Sequence, residues 1–226
     1  MVSASHNPPH DNGIKVFGAG GAKLSRREQE AIEAGLRGSI PEAPGSAAAF
    51  LGDGTAHVRS DLVAEYADTL AASVGAARLD GCSIVLDLCH GSATACGEAV
   101  FRRLGAELLV LHGEPDGTRI NQDCGSTHLD ALRRAVLETG AGMGFAFDGD
   151  ADRMLAVDGR GRVVDGDQIL FLWGSALRDE QALPDNRLVA TVMSNLGFER
   201  AWTEAGGLLE RTAVGDQHVQ IGRAHV

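Results

Sequence analysis

Apolar positions recur with two different periods along this chain, and the switching between them predicts its elements. Ser25 and Glu28 have capping-box spacing, and Ala31, Ile32 and Leu36 follow at helical intervals until Gly38. A second helix opens at Ser60 or Asp61, with Leu62, Val63, Tyr66, Leu70 and Val74 on one stripe. The segment CSIVLDL (82–88) then reads as a buried strand. A helix over 92–104, the strand ELLVL (107–111), a helix over 127–139 behind Ser126 or Thr127, and the strand MGFAF (143–147) complete that stretch. A hairpin-like segment, MLAVDGRGRVVDG, leads into the helix QILFLWGSALRDE, the strand RLVATVM, another helix and a last strand, LLERTAV.

Strands alternating with helices predict an α/β protein built of repeated βα units with mixed, mainly parallel sheets. Residues 41–55, PEAPGSAAAFLGDGT, hold no sustained period and read as a linker, so a boundary is expected after it. The expected divisions are 1–55, 56–163 and 164–220, with 221–226 apart. No tandem repeat at solenoid periods is present in the sequence. Met1 is followed at once by a functional-looking loop with no strand ahead of it, which leads us to expect truncation upstream.

Composition narrows the function. A formal charge of -11 with no Lys/Arg run argues against nucleic acid or an anionic membrane as partner. Any bound phosphate must then meet local cations. Cys82, Cys89, Cys96 and Cys124 form no C-x-x-C pair and have no His at zinc-finger spacing, so buried reduced thiols are expected. No apolar stretch approaches the roughly 20 residues of a membrane span, and the N-terminus lacks a signal-peptide layout. The cytoplasm is the expected compartment.

Two loops carry candidate chemistry. FDGDADR (147–153) places Asp148, Asp150 and Asp152 at alternate positions just past a buried strand, where ligands sit in parallel α/β sheets. Such carboxylates repel unless a cation joins them, and an all-oxygen set suits one Mg²⁺. An EF-hand fails, because Arg153 and Gly159 stand where Gly and Glu are required. An aspartyl-phosphate phosphatase with Asp148 as nucleophile remains an alternative, as does a solvated acidic turn. Arg153 offers a planar fork for phosphate oxygens.

The other loop, SASHNPPHDNGIK (3–15), gathers hydroxyls, two imidazoles, turn signals and a lysine. Alone it also reads as a polar turn whose serines cap backbone groups. Read with the acidic loop, a serine beside His6 and Lys15 becomes a carrier for a transferable phosphoryl group. Proton transfer then falls to Lys15 or His6.

SASHNP followed by DNGIK resembles the phosphoserine loop of the α-D-phosphohexomutases, and DGDADR resembles their metal loop. The resemblance runs from Met1 to about Val219. It implies that Ser5 is the phosphorylated residue and that Ser5, Asp148, Asp150 and Asp152 bind one Mg²⁺. Lys15 and His6 are the candidates for acid–base work, and Arg153 and Asn7 for phosphate contact. INQDCGSTH (120–128) and TVMSNLGF (191–198) look like the glucosamine-phosphate branch of that family. The implied reaction converts glucosamine 6-phosphate to glucosamine 1-phosphate through glucosamine 1,6-bisphosphate, toward UDP-N-acetylglucosamine and peptidoglycan. Action on mannose or glucose phosphate is the alternative within the family, and a non-catalytic sugar-phosphate-binding protein the alternative outside it.

Against the family's pattern, the strands before the serine loop, the sugar-recognition loop and a phosphate-binding fourth domain are missing. Little mutase turnover is therefore expected of these residues alone, since remote binding energy helps drive such chemistry. A full-length member is expected to form a homodimer. Gln217 stands where the branch carries a cation. Ile221 to Val226, IGRAHV, resemble nothing in the family and back-translate to a sequence like a sequencing adapter, so a non-native tail is expected.

Overall fold

The serine loop is closed by a two-residue antiparallel ladder, β1 (Val2–Ser3) against β2 (Gly13–Ile14), with Val2 opposite Ile14 and Ser3 opposite Gly13. Sequence reading treats this whole stretch as loop, because strands of two residues carry no periodicity. The computed structural model describes residues 1–38, 58–215 and 218–219, in two compact units, Met1–Met154 and Leu155–Val226. The predicted linker 41–55, Gln217 and the segment Ile221 to Val226 lie outside the described residues.

In the first unit, α1 (Arg26–Leu36) starts on the predicted capping box, and both of its reciprocal Ser25–Glu28 bonds form. Helix α2 (Ser60–Ser73) also starts where expected, but its predicted apolar stripe is not a core face among the described residues. Ala67 is buried, whereas Leu62, Val63, Tyr66 and Val74 are exposed. Helical spacing records which side chains share a face and says nothing of what covers them.

β3 (Ser83–Asp87) is the centre of this unit. It pairs in parallel with β4 (Glu107–Leu111) on one side and with β5 (Met143–Phe147) on the other. Ile84, Val85 and Leu86 are at most 1% exposed, as a strand covered on both faces requires. Burying each such side chain contributes about 1.5–3 kcal/mol. Ile84 and Leu86 pack with Leu88, Phe101, Val110 and Phe145.

The predicted helix over 92–104 is two pieces, a 3₁₀ turn at Ser92–Ala95 and α3 (Gly97–Arg103), separated by Cys96 in a non-helical conformation. The helix predicted from 127 begins later, as α4 (Asp130–Thr139), behind a 3₁₀ turn at Gly125–Thr127. In both cases tertiary hydrogen bonds hold the preceding turn: Ser92 N donates to Gly149 O at 2.9 Å, and Gly125 N to the Asp87 carboxylate at 2.9 Å.

β6 (Met154–Asp158) turns back on β7 (Val163–Val164) as an antiparallel pair. In the second unit, Asp165 and Gln168 form a capping box that opens α5 (Gly166–Asp179). β8 (Arg187–Thr191), α6 (Leu196–Glu204) and β9 (Leu208–Thr212) make a βαβ unit with β8 and β9 parallel. Its core is Trp202, Phe198 and Ala190, packed with Phe171 and Leu188. No described helix is long and apolar enough to cross a membrane. The four cysteines are unpaired; Cys89 and Cys124 are buried, Cys82 and Cys96 half-buried.

Candidate functional site

The first unit brings the two chemical loops together. β5 delivers the chain to Asp148, and Asp148 O accepts from Ala151 N at 3.0 Å in a turn that puts Ala151 at φ +58°. Carboxylate oxygens of Asp148, Asp150 and Asp152 thereby come within 4.8 Å of one another. Ser5 Oγ lies 3.5 Å from Asp148 Oδ2, at the outer limit of a hydrogen bond. Gly149 N donates to Ser5 O at 2.9 Å, so the metal loop and the serine loop touch through their backbones.

The three aspartates differ in environment. Asp148 is fully buried and Asp152 is half exposed. Burial pushes the Asp148 carboxyl up from its ordinary range, the charges of Asp150 and Asp152 add to this, and the Arg153 backbone N–H at 3.2 Å opposes it. Burial is the largest single influence on Asp150 and acts the same way, yet the Lys15 ammonium at 2.6 Å, together with the Ser5 and Ser3 hydroxyls, holds that carboxyl below its usual range.

The β1–β2 ladder carries Lys15 to the carboxylates, since Lys15 N donates to Met1 O at 2.9 Å just past its last rung. Lys15 Nζ reaches Asp150 at 2.6 Å and Asp152 at 3.4 Å. Its pKa is raised, first by the hydrogen bond to Asp150. Lys15 is therefore an ammonium bound among the aspartates in this arrangement, not a free base.

Asp150 Oδ1 is buried with no hydrogen-bond partner. An orphaned carboxylate oxygen beside two further carboxylates, with a cation already drawn among them, suits a hard divalent ion, and these residues fit Mg²⁺. A second group, Asp87, His112 and Cys124, has ligand atoms equally close. Its carboxylate is already occupied: Asp87 accepts from Cys89 N at 3.0 Å, Gly125 N at 2.9 Å and His112 Nδ1 at 2.9 Å.

Arg153 Nη1 donates to His6 Nδ1 at 3.0 Å, and its Nε is 3.7 Å from Asp152. A guanidinium only donates, so Nδ1 accepts and the proton of the neutral ring is on Nε2. Asn7 enters the site through its backbone carbonyl, which accepts from Asn121 Nδ2 at 2.8 Å. A hollow of about 330 Å³ opens beside the serine loop, lined by His6, Pro8, Asn121, Gln122, Asp123, Thr127 and His128. A larger hollow of about 660 Å³ lies in the second unit between α5 and α6, and contains none of the predicted site residues.

Sequence reading missed Asp87 and Asn121 as parts of the site. The signal for Asp87 was a carboxylate at the end of a largely apolar, buried strand, which has to find buried partners. Asn121 lay inside a segment recognised only as a signature. Non-glycine residues at positive φ also gather here, with Ser5, Cys89, His90, His112, Asn121, Asp123 and Ala151 all between +50° and +60°.

Three family models match the chain in order. They are phosphoglucomutase/phosphomannomutase alpha/beta/alpha domain I over residues 1–40, domain II over 64–161 and domain III over 165–222. Phosphoglucosamine mutases of Synechococcus sp. strains CC9311 and WH7803 are 69% and 71% identical over 219 residues, 97% of this chain. The chain spans about half the length of these curated relatives, 47% and 46%. A phosphoglucomutase/phosphomannomutase family protein from Burkholderia thailandensis superposes with a TM-score of 0.76 at 25% identity, over 99% of this chain and 46% of that one.

Proposed function

Since the chain belongs to the phosphoglucomutase/phosphomannomutase family, we propose that it carries the phosphoserine and metal sites of a phosphoglucosamine mutase. Ser5 holds the phosphoryl group, and Ser5, Asp148, Asp150 and Asp152 hold one Mg²⁺. The observation that carries this reading is the approach of Ser5 Oγ to 3.5 Å from the buried Asp148, in a group that leaves Asp150 Oδ1 unsatisfied. The metal, when bound, supplies positive charge against the oxygens of the transferring phosphoryl group.

The chain's own residues do the rest. The bond from Ser5 Oγ to phosphorus breaks as a hydroxyl oxygen of glucosamine 6-phosphate bonds to it, giving glucosamine 1,6-bisphosphate and free Ser5. The bisphosphate turns over and returns its 6-phosphoryl group to Ser5, releasing glucosamine 1-phosphate for UDP-N-acetylglucosamine and peptidoglycan precursors. The sugar hydroxyl must lose a proton, and both candidate bases start occupied: Lys15 is an ion-paired ammonium, and His6 Nδ1 accepts from Arg153. A substrate phosphate that draws the Arg153 guanidinium to itself frees His6 Nδ1 to take that proton. Asn7 lies on the same loop as a further phosphate contact. The cytoplasm, where sugar phosphates are made, is the proposed compartment.

Asp148 as a phosphatase nucleophile is disfavoured, because the half-buried Ser5 hydroxyl lies 3.5 Å from the fully buried Asp148 carboxylate and is the more accessible of the two. The test is a single turnover. The chain bearing phosphoserine at position 5 is mixed with Mg²⁺ and saturating glucosamine, glucose or mannose 6-phosphate, and loss of the serine phosphate is followed by intact mass. Glucosamine 6-phosphate should discharge it fastest. A faster discharge by mannose or glucose phosphate moves the sugar assignment. Discharge by these residues alone is expected to be slow, so a non-catalytic binding protein is favoured only where no sugar raises the rate above that measured without sugar.

A further inference from the structure

Ser5 has φ +50°, a conformation a serine enters only at a cost. Two donors from distant loops capture its carbonyl there, Asn121 Nδ2 at 2.7 Å and Gly149 N at 2.9 Å. The same Asn121 nitrogen reaches Asn7 O at 2.8 Å, so one side-chain amide spans the backbone on both sides of His6. Its oxygen accepts from the Cys89 thiol at 2.9 Å, and Cys89 is fully buried, with its own N–H on Asp87. Each atom of the amide thus has a partner of the right kind: its nitrogen faces two acceptors and its oxygen faces a donor. Asn121 is 6% exposed and itself at φ +60°, so the surrounding structure fixes it.

We infer that Asn121 is a positioning residue for the phosphoserine: its amide holds Ser5 in the left-handed conformation that aims Oγ at the carboxylates, and the Cys89 thiol holds the amide. Removing the amide leaves the aspartates and the Gly149 N–H bond in place but takes away one of the two donors to Ser5 O and the donor to Asn7 O, which loosens the serine loop. The phosphate then samples many positions and loses its fixed approach to the metal site. This rests on the reading of Ser5 as the phosphorylated residue, and the experiment separates the two.

The 226-residue chain is prepared with serine or phosphoserine at position 5, and Mn²⁺ affinity is measured for both forms by electron paramagnetic resonance. The ³¹P resonance of the phosphorylated form is followed on adding Mg²⁺. In the wild type the phosphate should tighten Mn²⁺ binding, and Mg²⁺ should shift the resonance. In Asn121→Ala the unphosphorylated affinity should stay within about twofold, while the gain from phosphorylation falls by about tenfold or more, the scale of losing a residue that orients a metal ligand. The Mg²⁺-induced ³¹P shift should shrink with it. Cys89→Ser, which keeps a donor to the amide oxygen, should retain more of the gain than Cys89→Ala, and this pair decides the matter if Asn121→Ala does not fold. An unchanged gain in Asn121→Ala, an equal loss in both phosphorylation states, or equal behaviour of the two Cys89 variants overturns the inference. No gain from phosphate in the wild type overturns the phosphoserine reading and the inference with it.

Discussion

Gly149→Ala tests whether close contact between the two loops matters. A Cβ built at Gly149 would sit 2.5 Å from Ser5 O, 2.8 Å from Ile120 Cδ1 and 3.0 Å from Asn121 Nδ2. The isoleucine terminus can swing away, but the carbonyl cannot, because it is bonded to Gly149's own N–H at 2.9 Å. Relief therefore requires the loops to part. Overpacking of this kind costs about 1–3 kcal/mol, and losing the backbone hydrogen bond adds about 1 kcal/mol, so about 2–4 kcal/mol is expected in all. Gly142→Ala is the control: its Cβ would meet only Ser83 O at an ordinary 3.8 Å. Urea unfolding followed by circular dichroism should show a lower midpoint with unchanged slope for Gly149→Ala and little change for Gly142→Ala. A Gly149→Ala midpoint equivalent to less than about 0.5 kcal/mol of destabilisation, the range of an indifferent surface change, would refute the reasoning.

Asp150→Asn removes the carboxylate that faces both Lys15 and the proposed ion. Mn²⁺ affinity by titration calorimetry should fall at least about tenfold, since even residues behind a metal ligand cost that much. Asp116 is held well below the ordinary carboxylate range by the Thr118 hydroxyl, the Arg119 guanidinium and the Thr118 N–H. A depressed folded pKa contributes stability above the unfolded value, near pH 4, that is lost as pH falls through the folded one. The stability difference between wild type and Asp116→Asn should thus be constant above about pH 5 and shrink below about pH 4 in urea titrations; a constant difference down to pH 2 would count against it. Trp202 is fully buried, donates from Nε1 to Leu208 O at 3.1 Å and stacks edge-on with Phe171. Trp202→Ala should destabilise the second unit by about 3–5 kcal/mol in denaturant unfolding, and a loss under about 1 kcal/mol would contradict that packing.

Local signals in the sequence sufficed where local forces decide. The strands at 107–111 and 143–147 form over the predicted residues, and both bonds of the Ser25–Glu28 box are made. The three aspartates also converge, as their spacing allows on a backbone that curls. Elements whose ends are set by distant partners were harder to read. The turn ahead of α4 exists because Gly125 N is tied to Asp87, 38 positions away, and α4 starts late in consequence. Lys15 was legible as a cation near the site, but not as the counter-ion of Asp150, because only the short ladder brings it there. Asn121 gave no chemical signal at all, since an amide that serves another loop's backbone looks like any loop asparagine.

The central claim, that Ser5 and not an aspartate carries the phosphoryl group, is tested most directly by locating the phosphate. The chain is incubated with excess glucosamine 1,6-bisphosphate and Mg²⁺, digested and sequenced by tandem mass spectrometry. One acid-stable phosphate on Ser5, absent from Ser5→Ala, is the expected result. A hydroxylamine-labile phosphate on Asp148, or no phosphate on the wild-type chain, would contradict the account.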